Sequence, residues 1–134
     1  MILLDTSAIY ALADTADPNH SRAIELFGHA LEADEGVLVH SYILVEAAAL
    51  IQHRLGLSNA LRFLRETSAF QLHWMGAQDH QRAVQLLQER GRRELSLVDC
   101  ASFVVMSDYA VEEALAFDPD FEREGFALYK QPMA

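Results

Sequence analysis

Four acidic residues occur in or beside strongly apolar segments of the chain, where charged side chains are uncommon. These residues are Asp5 at the end of ILLD (residues 2–5), Glu46 in YILVEAAALIQHRLG, Asp99 in LSLVDCASFVVM (residues 95–106) and Asp118 at the end of ALAFD (residues 114–118). An unpaired charge that is buried costs several kcal/mol. Carboxylates that meet at one site all stay ionised only if a cation lies among them. The pattern therefore predicts a carboxylate cluster that binds a cation.

The ligand types favour Mg²⁺ or Mn²⁺, because hard divalent ions prefer carboxylate oxygens and water. Zinc would favour cysteine and histidine, but the six histidines show no H-x-H or H-E-x-x-H spacing. A hard ion with few protein ligands keeps positions open for water and for a substrate phosphate. The chemistry predicted for such a site is hydrolysis of a phosphodiester, with either one ion or two.

Three of the four acids also have a simpler explanation as helix caps. Ser96 and Asp99 have the spacing of a capping box, and Asp5 and Asp118 each stand where a following helix would begin. Glu46 lies in the second turn of its helix, too far inside to cap it, and its neighbours are apolar. We therefore expect Glu46 to be buried, and it favours the metal cluster. An ion pair between Glu46 and Arg54, about two turns further on, is the remaining alternative.

The elements that must position these acids follow the pattern of an α/β domain with a largely parallel sheet, in which short apolar runs alternate with helical periods. Strands are predicted at residues 2–5, 36–40, 70–75, 114–118 and 126–129. One helix is predicted to begin with Asp17 as its N-cap, and another to be capped by Ser41 and to end at Gly56. In such sheets ligands bind at the carboxyl edge, where we expect Asp5, Asp118 and Glu46 to lie.

Composition limits the classes of protein that fit. The chain has 134 residues, enough for one domain, and a formal net charge of −10, which argues against a protein that coats nucleic acid or membrane through a broad basic surface. Its single cysteine, Cys100, cannot form an intrachain disulfide and is predicted to pack in the core. The apolar N-terminal run is short and carries no basic segment, so we expect a soluble cytoplasmic protein without a membrane span.

Four stretches of the chain resemble a known family. LLDTSAIYAL, the helix that carries Glu46, LSLVDCASFVVM and ALAFDPDFEREGF occur in the order and approximate spacing of the PIN domain. The chain as a whole, residues 1–134, resembles the VapC-type toxins of bacterial type II toxin–antitoxin systems. This resemblance implies a three-layer α/β/α sandwich with a central, mainly parallel sheet. It also implies an endoribonuclease that depends on Mg²⁺ or Mn²⁺.

The resemblance assigns roles to individual residues. Asp5, Glu46 and Asp99 match the three principal acids of the family, and Asp118 matches the fourth, with Asp120 beside it as a further metal ligand. Because Pro119 separates Asp118 from Asp120, the sequence leaves open which of the two faces the metal. Auxiliary hydroxyl groups, which would orient water or phosphate, are expected from Thr6 or Ser7 and from Ser102, which shares a helical face with Asp99.

Arg90, Arg92 and Arg93 precede the Asp99 helix, and they have two explanations. They are either a solvated helix end whose cations complement the helix dipole, which the sequence favours slightly, or contacts for RNA phosphates at the rim of the site. The resemblance further implies a cognate antitoxin and a homodimer. Hydrolysis by water would leave 5′-phosphate and 3′-hydroxyl ends on the RNA.

Other functions fit the residues less well. A receiver domain needs an acidic pair after the first strand and a later lysine, and a haloacid-dehalogenase-type phosphatase needs Asp-x-Asp where Ser7 stands. A binding module that keeps the PIN fold without catalysis is the alternative from another class. The aromatic residues, Trp74 among them, are scattered in the sequence without the pairing of a base-stacking platform, and they are predicted to lie in the core or an interface.

Overall fold

A five-stranded parallel sheet forms the centre of the protein, whose computed structural model describes residues 1–130. The strands occur in the spatial order β3-β2-β1-β4-β5, and each neighbouring pair is parallel. Their bounds are β1 (Ile2–Leu4), β2 (Val37–His40), β3 (Gln71–His73), β4 (Glu113–Leu115) and β5 (Ala127–Leu128).

The apolar run at the N-terminus occupies the middle of the sheet. Leu3 aligns with Leu38 of β2 on one side and with Ala114 of β4 on the other, and all three side chains are fully buried. A parallel sheet covered on both faces needs continuous apolar strands rather than alternating ones, which is the pattern these segments have. The chain leaves this buried strand directly at Asp5.

Seven α-helices within residues 1–130 flank the sheet. They are α1 (Thr6–Ala13), α2 (His20–Glu32), α3 (Ser41–Leu55), α4 (Leu57–Glu66), α5 (Ala77–Arg90), α6 (Leu97–Asp108) and α7 (Asp120–Arg123), and a short 3₁₀ turn covers Thr67–Ala69. Helices α1 to α4 pack on one another, and α5 packs along α6. This arrangement confirms the predicted α/β/α sandwich. The prediction of one domain over 1–134 extends to residues 131–134, which lie outside the described part of the chain.

Several predicted boundaries are wrong by a few residues. Strand β4 ends at Leu115, so Asp118 lies three residues beyond the strand instead of closing it. Helix α2 begins at His20 and not after Asp17, because the Asp17 carboxylate accepts a hydrogen bond of 2.8 Å from the backbone N–H of Asn19. Such a local bond forms an Asx turn, which delays the start of the helix.

The predicted cap of α3 is also wrong. His40, not Ser41, caps this helix, and its Nδ1 accepts a hydrogen bond of 3.3 Å from the backbone N–H of Ile43. The Ser41 hydroxyl instead accepts a bond of 2.9 Å from the backbone N–H of Met75, just after β3. The predicted end at Gly56 is confirmed, since this glycine has a φ of 94°, a conformation that other residues rarely adopt.

Helix α6 is buried over most of its length, as its apolar sequence predicts. Every residue from 100 to 106 is buried. Cys100 lies in this segment as a core residue, and burial raises the pKa of its thiol to about 11, which keeps it unreactive. Within residues 1–130, no helix combines the length and hydropathy that a membrane crossing requires.

Candidate metal-binding active site

Three aspartates meet at the carboxyl edge of the sheet. Asp99 lies in the first turn of α6, Asp118 lies in the turn between β4 and α7, and Asp120 is the first residue of α7. One carboxylate oxygen from each lies within 4.8 Å of the corresponding oxygens of the other two. Residues separated by about twenty positions in sequence thus place carboxylate oxygens at a single small site.

A fourth aspartate, Asp5, stands beside these three. It directly follows the central strand β1 and is only 4% exposed. Burial, with smaller contributions from the negative charges of Asp99 and Asp118, raises the pKa of Asp5 to about 6, although hydrogen bonds from Ser7 oppose the shift. The four residues Asp5, Asp99, Asp118 and Asp120 are called the aspartate cluster below.

The electrostatic environment of the cluster disfavours four negative charges. Burial is the main cause that raises the pKa of Asp99, and the carboxylates of Asp120 and Glu46 add to the effect. Burial likewise raises the pKa of Asp118, with contributions from Asp99 and Asp120. A bound cation would remove this mutual repulsion and favour the ionised forms.

Hydrogen bonding engages one carboxylate oxygen of each residue. Asp5 Oδ2 accepts bonds from the backbone N–H of Ser7 at 3.2 Å and from its hydroxyl at 2.6 Å. Asp99 Oδ2 accepts a bond of 3.0 Å from the Ser96 N–H, and Asp118 Oδ1 accepts one of 2.9 Å from the Asp120 N–H. Among residues 1–130, the second oxygen of each of these three side chains accepts no hydrogen bond. The helix-cap explanation and the metal-ligand explanation are therefore compatible.

The capping box predicted at Ser96 is confirmed. The Asp99 N–H donates to Ser96 Oγ at 3.1 Å, reciprocating the bond that Asp99 accepts. Asp5 is itself the N-cap of α1, and its side chain accepts a hydrogen bond from the Ser7 N–H. These contacts fix the carboxylate orientations before any ligand is present, so capping contributes to the geometry of the site.

Ser7 connects two strand ends. Its hydroxyl donates to Asp5 and accepts a hydrogen bond of 3.0 Å from the backbone N–H of Phe117, in the segment that leads from β4 to Asp118. The neighbouring Thr6 is buried, and its hydroxyl has no hydrogen-bond partner within the described residues. Ser7 thus positions Asp5 relative to the segment before Asp118.

Asp120 differs from the other aspartates because it is bound by arginines. It is 5% exposed, and its Oδ1 lies 3.0 Å from Arg92 Nη1 and 3.2 Å from Arg123 Nη1. Arg90 forms a bidentate ion pair with Glu124, at 2.7 and 3.0 Å. Arg93 is exposed and forms no ion pair in the described part of the chain. Of the three predicted arginines, Arg92 is the one in direct contact with the cluster.

The prediction that Glu46 is buried is wrong. Helix α3 turns Ile43, Ala47 and Ile51 into the core, and its opposite face leaves Val45 and Glu46 exposed. The sequence predicts burial of Glu46 because apolar residues surround it, but these residues occupy both the buried and the exposed face of the helix. Glu46 nevertheless lies close enough to raise the pKa of Asp99. Arg54, the alternative partner, lies over the ring of Tyr10 instead, 5.2 Å from its centroid.

Ser102 makes its hydrogen bonds inside the core. Its hydroxyl donates to the Val98 carbonyl at 3.1 Å and lies 2.8 Å from Nε2 of His40, and both side chains are fully buried. Burial lowers the pKa of His40 to about 3, so this imidazole is neutral. The structure therefore places Ser102 in a link between β2 and α6, and not in the water-orienting role that was expected.

The donor set fits a hard divalent ion. Each aspartate of the cluster offers a carboxylate oxygen, and neither cysteine nor histidine belongs to the three-residue group that meets within 4.8 Å. Carboxylates of this kind suit Mg²⁺ or Mn²⁺ better than Zn²⁺. The sequence missed the contribution of His40, whose only signal is its place between an apolar strand and the helix that follows.

Comparisons with known proteins agree with this geometry. Residues 2–127 match the model of the PIN domain family. The chain is 30% identical over 128 residues to the 23S rRNA-specific endonuclease VapC20 of Mycobacterium tuberculosis, which covers 94% of this chain and 95% of the relative. It is 27% identical over 119 residues to ribonuclease VapC26 of the same organism, covering 87% and 86%.

Solved structures show the same fold. The crystal structure of VapC20 from M. tuberculosis, described as a sarcin–ricin loop cleaving toxin, superposes with a TM-score of 0.83 at 29% identity, covering 95% of this chain and 97% of that one. A structure from Pyrobaculum aerophilum gives a TM-score of 0.65 at 21% identity, covering 95% and 81%, and this likeness concerns the fold alone.

Removing the charge of Asp5 is expected to stabilise the protein when no metal is bound. Because the folded-state pKa is raised from 3.8 to about 6, the ionised carboxylate destabilises the folded protein. This destabilisation is absent below about pH 4 and reaches its full size above about pH 6. Asp5→Asn should therefore raise the free energy of unfolding at pH 7.5 in EDTA by up to about 3 kcal/mol, but hardly change it at pH 4. Urea unfolding at both pH values measures this difference.

The matched control for this experiment is Asp34→Asn, since Asp34 is exposed and far from the cluster in sequence. It should leave the free energy of unfolding unchanged at both pH values. Added Mn²⁺ should stabilise the wild type by mass action and the Asp5→Asn variant much less. Equal stability of wild type and Asp5→Asn at pH 7.5 would contradict the electrostatic argument.

Proposed function

The chain belongs to the PIN-domain family, and on this basis we propose that it is a metal-dependent endoribonuclease of the VapC type, the toxin of a toxin–antitoxin pair. The observation that carries the proposal is the meeting of Asp99, Asp118 and Asp120 within 4.8 Å beside the buried Asp5. Two relatives that match most of the chain are ribonucleases, which supports RNA as the substrate class.

We propose that the free oxygens of the aspartate cluster hold Mg²⁺ or Mn²⁺. Asp118 is the better candidate for the fourth principal ligand, because no arginine contacts its carboxylate in the described chain, while Oδ1 of Asp120 already contacts Arg92 and Arg123. Glu46 supplies an exposed carboxylate near Asp99. A divalent ion at this site supplies positive charge that activates water and stabilises the developing charge on phosphate.

The residues of the chain position the reactants. The carboxylates orient the attacking water and accept its proton, while Ser7 keeps Asp5 in place through its two hydrogen bonds. A bond forms between the water oxygen and phosphorus, the bond to the 3′ oxygen breaks, and that oxygen takes up a proton. The products carry 5′-phosphate and 3′-hydroxyl ends. The 2′-hydroxyl is not consumed, so preference for RNA depends on contacts outside the reacting atoms.

The proposed phosphate contacts are the arginines that precede α6. Arg92 is half-buried beside the cluster, and Arg93 is exposed next to it. Since guanidinium groups bind phosphate in a bidentate fashion, both can engage the RNA backbone. Arg90 is held by Glu124 and is the least available of the three.

An antitoxin is the proposed protein partner, and the exposed face of α4 is its proposed docking surface. Leu57, Leu61 and Leu64 follow one another at helical spacing on α4, and each is exposed. An amphipathic antitoxin segment would bury this face. We further propose that the protein forms a homodimer. We also propose that it acts in the cytoplasm, where the RNA substrate lies.

Wild-type protein is expected to cleave RNA in Mg²⁺ or Mn²⁺ and to lose this activity in EDTA. Asp99→Asn should reduce the cleavage rate by more than the roughly 10- to 100-fold that loss of an outer-shell partner costs at metal sites. Sequencing of the RNA ends after a pulse of expression measures both the activity and the end chemistry. A cyclic 2′,3′-phosphate among the first products would contradict hydrolysis by water, and absence of both Mn²⁺ binding and cleavage would favour a non-catalytic module.

Arg92→Ala is expected to raise the KM for RNA about 10-fold, because a hydrogen-bonded ionic contact to phosphate is lost. The slope of log affinity against log salt concentration should also fall by about 1. Initial rates at several salt concentrations measure both effects. The control is Arg22→Ala, since Arg22 lies on α2 and pairs with Glu25. An unchanged KM and salt slope for Arg92→Ala would rule out the phosphate contact.

Leu61→Glu is expected to abolish rescue by the antitoxin while leaving RNA cleavage intact, because a charge in the centre of an apolar interface is not compensated. Growth of cells that express each toxin variant, alone or with the protein encoded next to it, tests this outcome. Leu61→Met retains the apolar surface and should be rescued like the wild type. Harmless expression of the wild type alone would contradict its assignment as a toxin.

A further inference from the structure

A second set of chemically active side chains lies at the same edge of the sheet, beyond the aspartate cluster. We propose that Tyr42, Trp74 and His80, called the aromatic patch below, bind a base of the single-stranded RNA substrate by stacking. This inference rests on the proposed ribonuclease function and adds to it the part of the surface that holds the substrate. From the sequence, Tyr42 and Trp74 were expected in the core or an interface, because the aromatic residues are scattered along the chain.

Tyr42 and His80 are held together by a direct hydrogen bond. The Tyr42 hydroxyl lies 2.6 Å from Nδ1 of His80, and the two rings are 5.9 Å apart at an angle of 75°. The inner side of the Tyr42 ring meets the buried His40, with centroids 6.1 Å apart at 80°. Tyr42 is half-buried and His80 is exposed, so the pair is fixed from below and open to solvent above.

Trp74 has an exposed side chain on a fixed backbone. It is 67% exposed, although tryptophan is among the most apolar side chains. The preceding residue, His73, forms hydrogen bonds with the Tyr109 hydroxyl at 2.8 Å and with the Asp79 carboxylate at 2.9 Å. The following residue, Met75, donates a hydrogen bond from its backbone N–H to the hydroxyl of Ser41, the residue that precedes Tyr42. These contacts fix the backbone of Trp74 beside Ser41, and they leave the Trp74 side chain largely exposed.

The aromatic patch is continuous with the aspartate cluster. Tyr42 and Glu46 are one turn apart on the same face of α3, and Glu46 lies near Asp99. Strand β3, which leads to Trp74, is two positions from β1 in the sheet, a separation of about 10 Å. An RNA strand with its scissile phosphate at the cluster would therefore place a neighbouring base over the patch.

The chemistry of the patch suits a base better than a protein partner. Every nucleobase has a π face, and aromatic rings bind such faces without requiring a particular sequence. Because the net charge is −10, electrostatic attraction of the RNA backbone is confined to the metal site and the nearby arginines. Uncharged contacts must therefore supply further affinity for RNA. The exposed surface on α4, by contrast, consists of three leucines. Such an aliphatic surface has the character of a protein interface.

Trp74 is the only tryptophan of the chain, so its fluorescence reports directly on the patch. The probe is a single-stranded oligoadenylate of twelve nucleotides, titrated into the full-length protein with Ca²⁺ in place of Mg²⁺. Stacking should quench the fluorescence of Trp74. Trp74→Leu, which keeps the apolar surface without the π face, should weaken binding of a labelled probe at least about 5-fold, as measured by anisotropy. Trp74→Phe should weaken it less.

The control variant is Ile24→Ala, which removes an exposed apolar side chain from α2 and should leave the affinity unchanged. Unaltered fluorescence during the titration, or equal affinities of Trp74→Leu and wild type, would overturn the stacking proposal. So would a change in oligomeric state of Trp74→Leu in sedimentation without any change in RNA affinity, because the patch would then be an interface between two copies of the chain.

The failure of this proposal can be distinguished from failure of the proposed function. With Mn²⁺ present, Trp74→Leu should retain the wild-type kcat at saturating RNA and show a raised KM. An unchanged KM with full cleavage would overturn stacking alone. A wild-type protein that binds the probe with quenching but cleaves no RNA would contradict the nuclease function and still support the patch.

Discussion

Mutual repulsion among the carboxylates at one edge of the sheet is the constraint on which the structure depends. Asp5 is nearly inaccessible to water, and burial together with the charges of Asp99 and Asp118 raises its pKa to about 6. A fold selected only for stability would not gather such groups. The parallel sheet brings them together because the chain leaves β1 directly at Asp5 and leaves β4 three residues before Asp118, while α6 begins above the same edge.

Secondary contacts hold this unfavourable arrangement in place. Ser7 links Asp5 to the segment after β4, and the capping box of α6 fixes Asp99. His40 serves both α3, as its cap, and α6, through Ser102. The two helices that carry Glu46 and Asp99 are thus tied to the end of one strand by a neutral imidazole in the core.

The sequence predicted the fold class and the grouping of the aspartates, because apolar strands and the acids that follow them are local patterns. It misjudged Glu46, since apolar residues on both faces of α3 conceal which face is exposed, and only packing decides this. It misplaced the cap of α3, because histidine is an uncommon cap. It could not pair Tyr42 with His80, as their contact depends on tertiary structure across 38 positions of the chain.

The use of a single carboxylate oxygen for each cap has a kinetic consequence. The ends of α1 and α6 are complete without an ion, so the oxygens proposed as metal ligands are already in position. Entry of an ion at the proposed site would then require no reorganisation of these caps, and its rate would depend on how readily the incoming ion sheds its own water. Mg²⁺ does so reluctantly. Exchange of one ion for another would therefore be set by the hydration of the ion and not by motion of the caps.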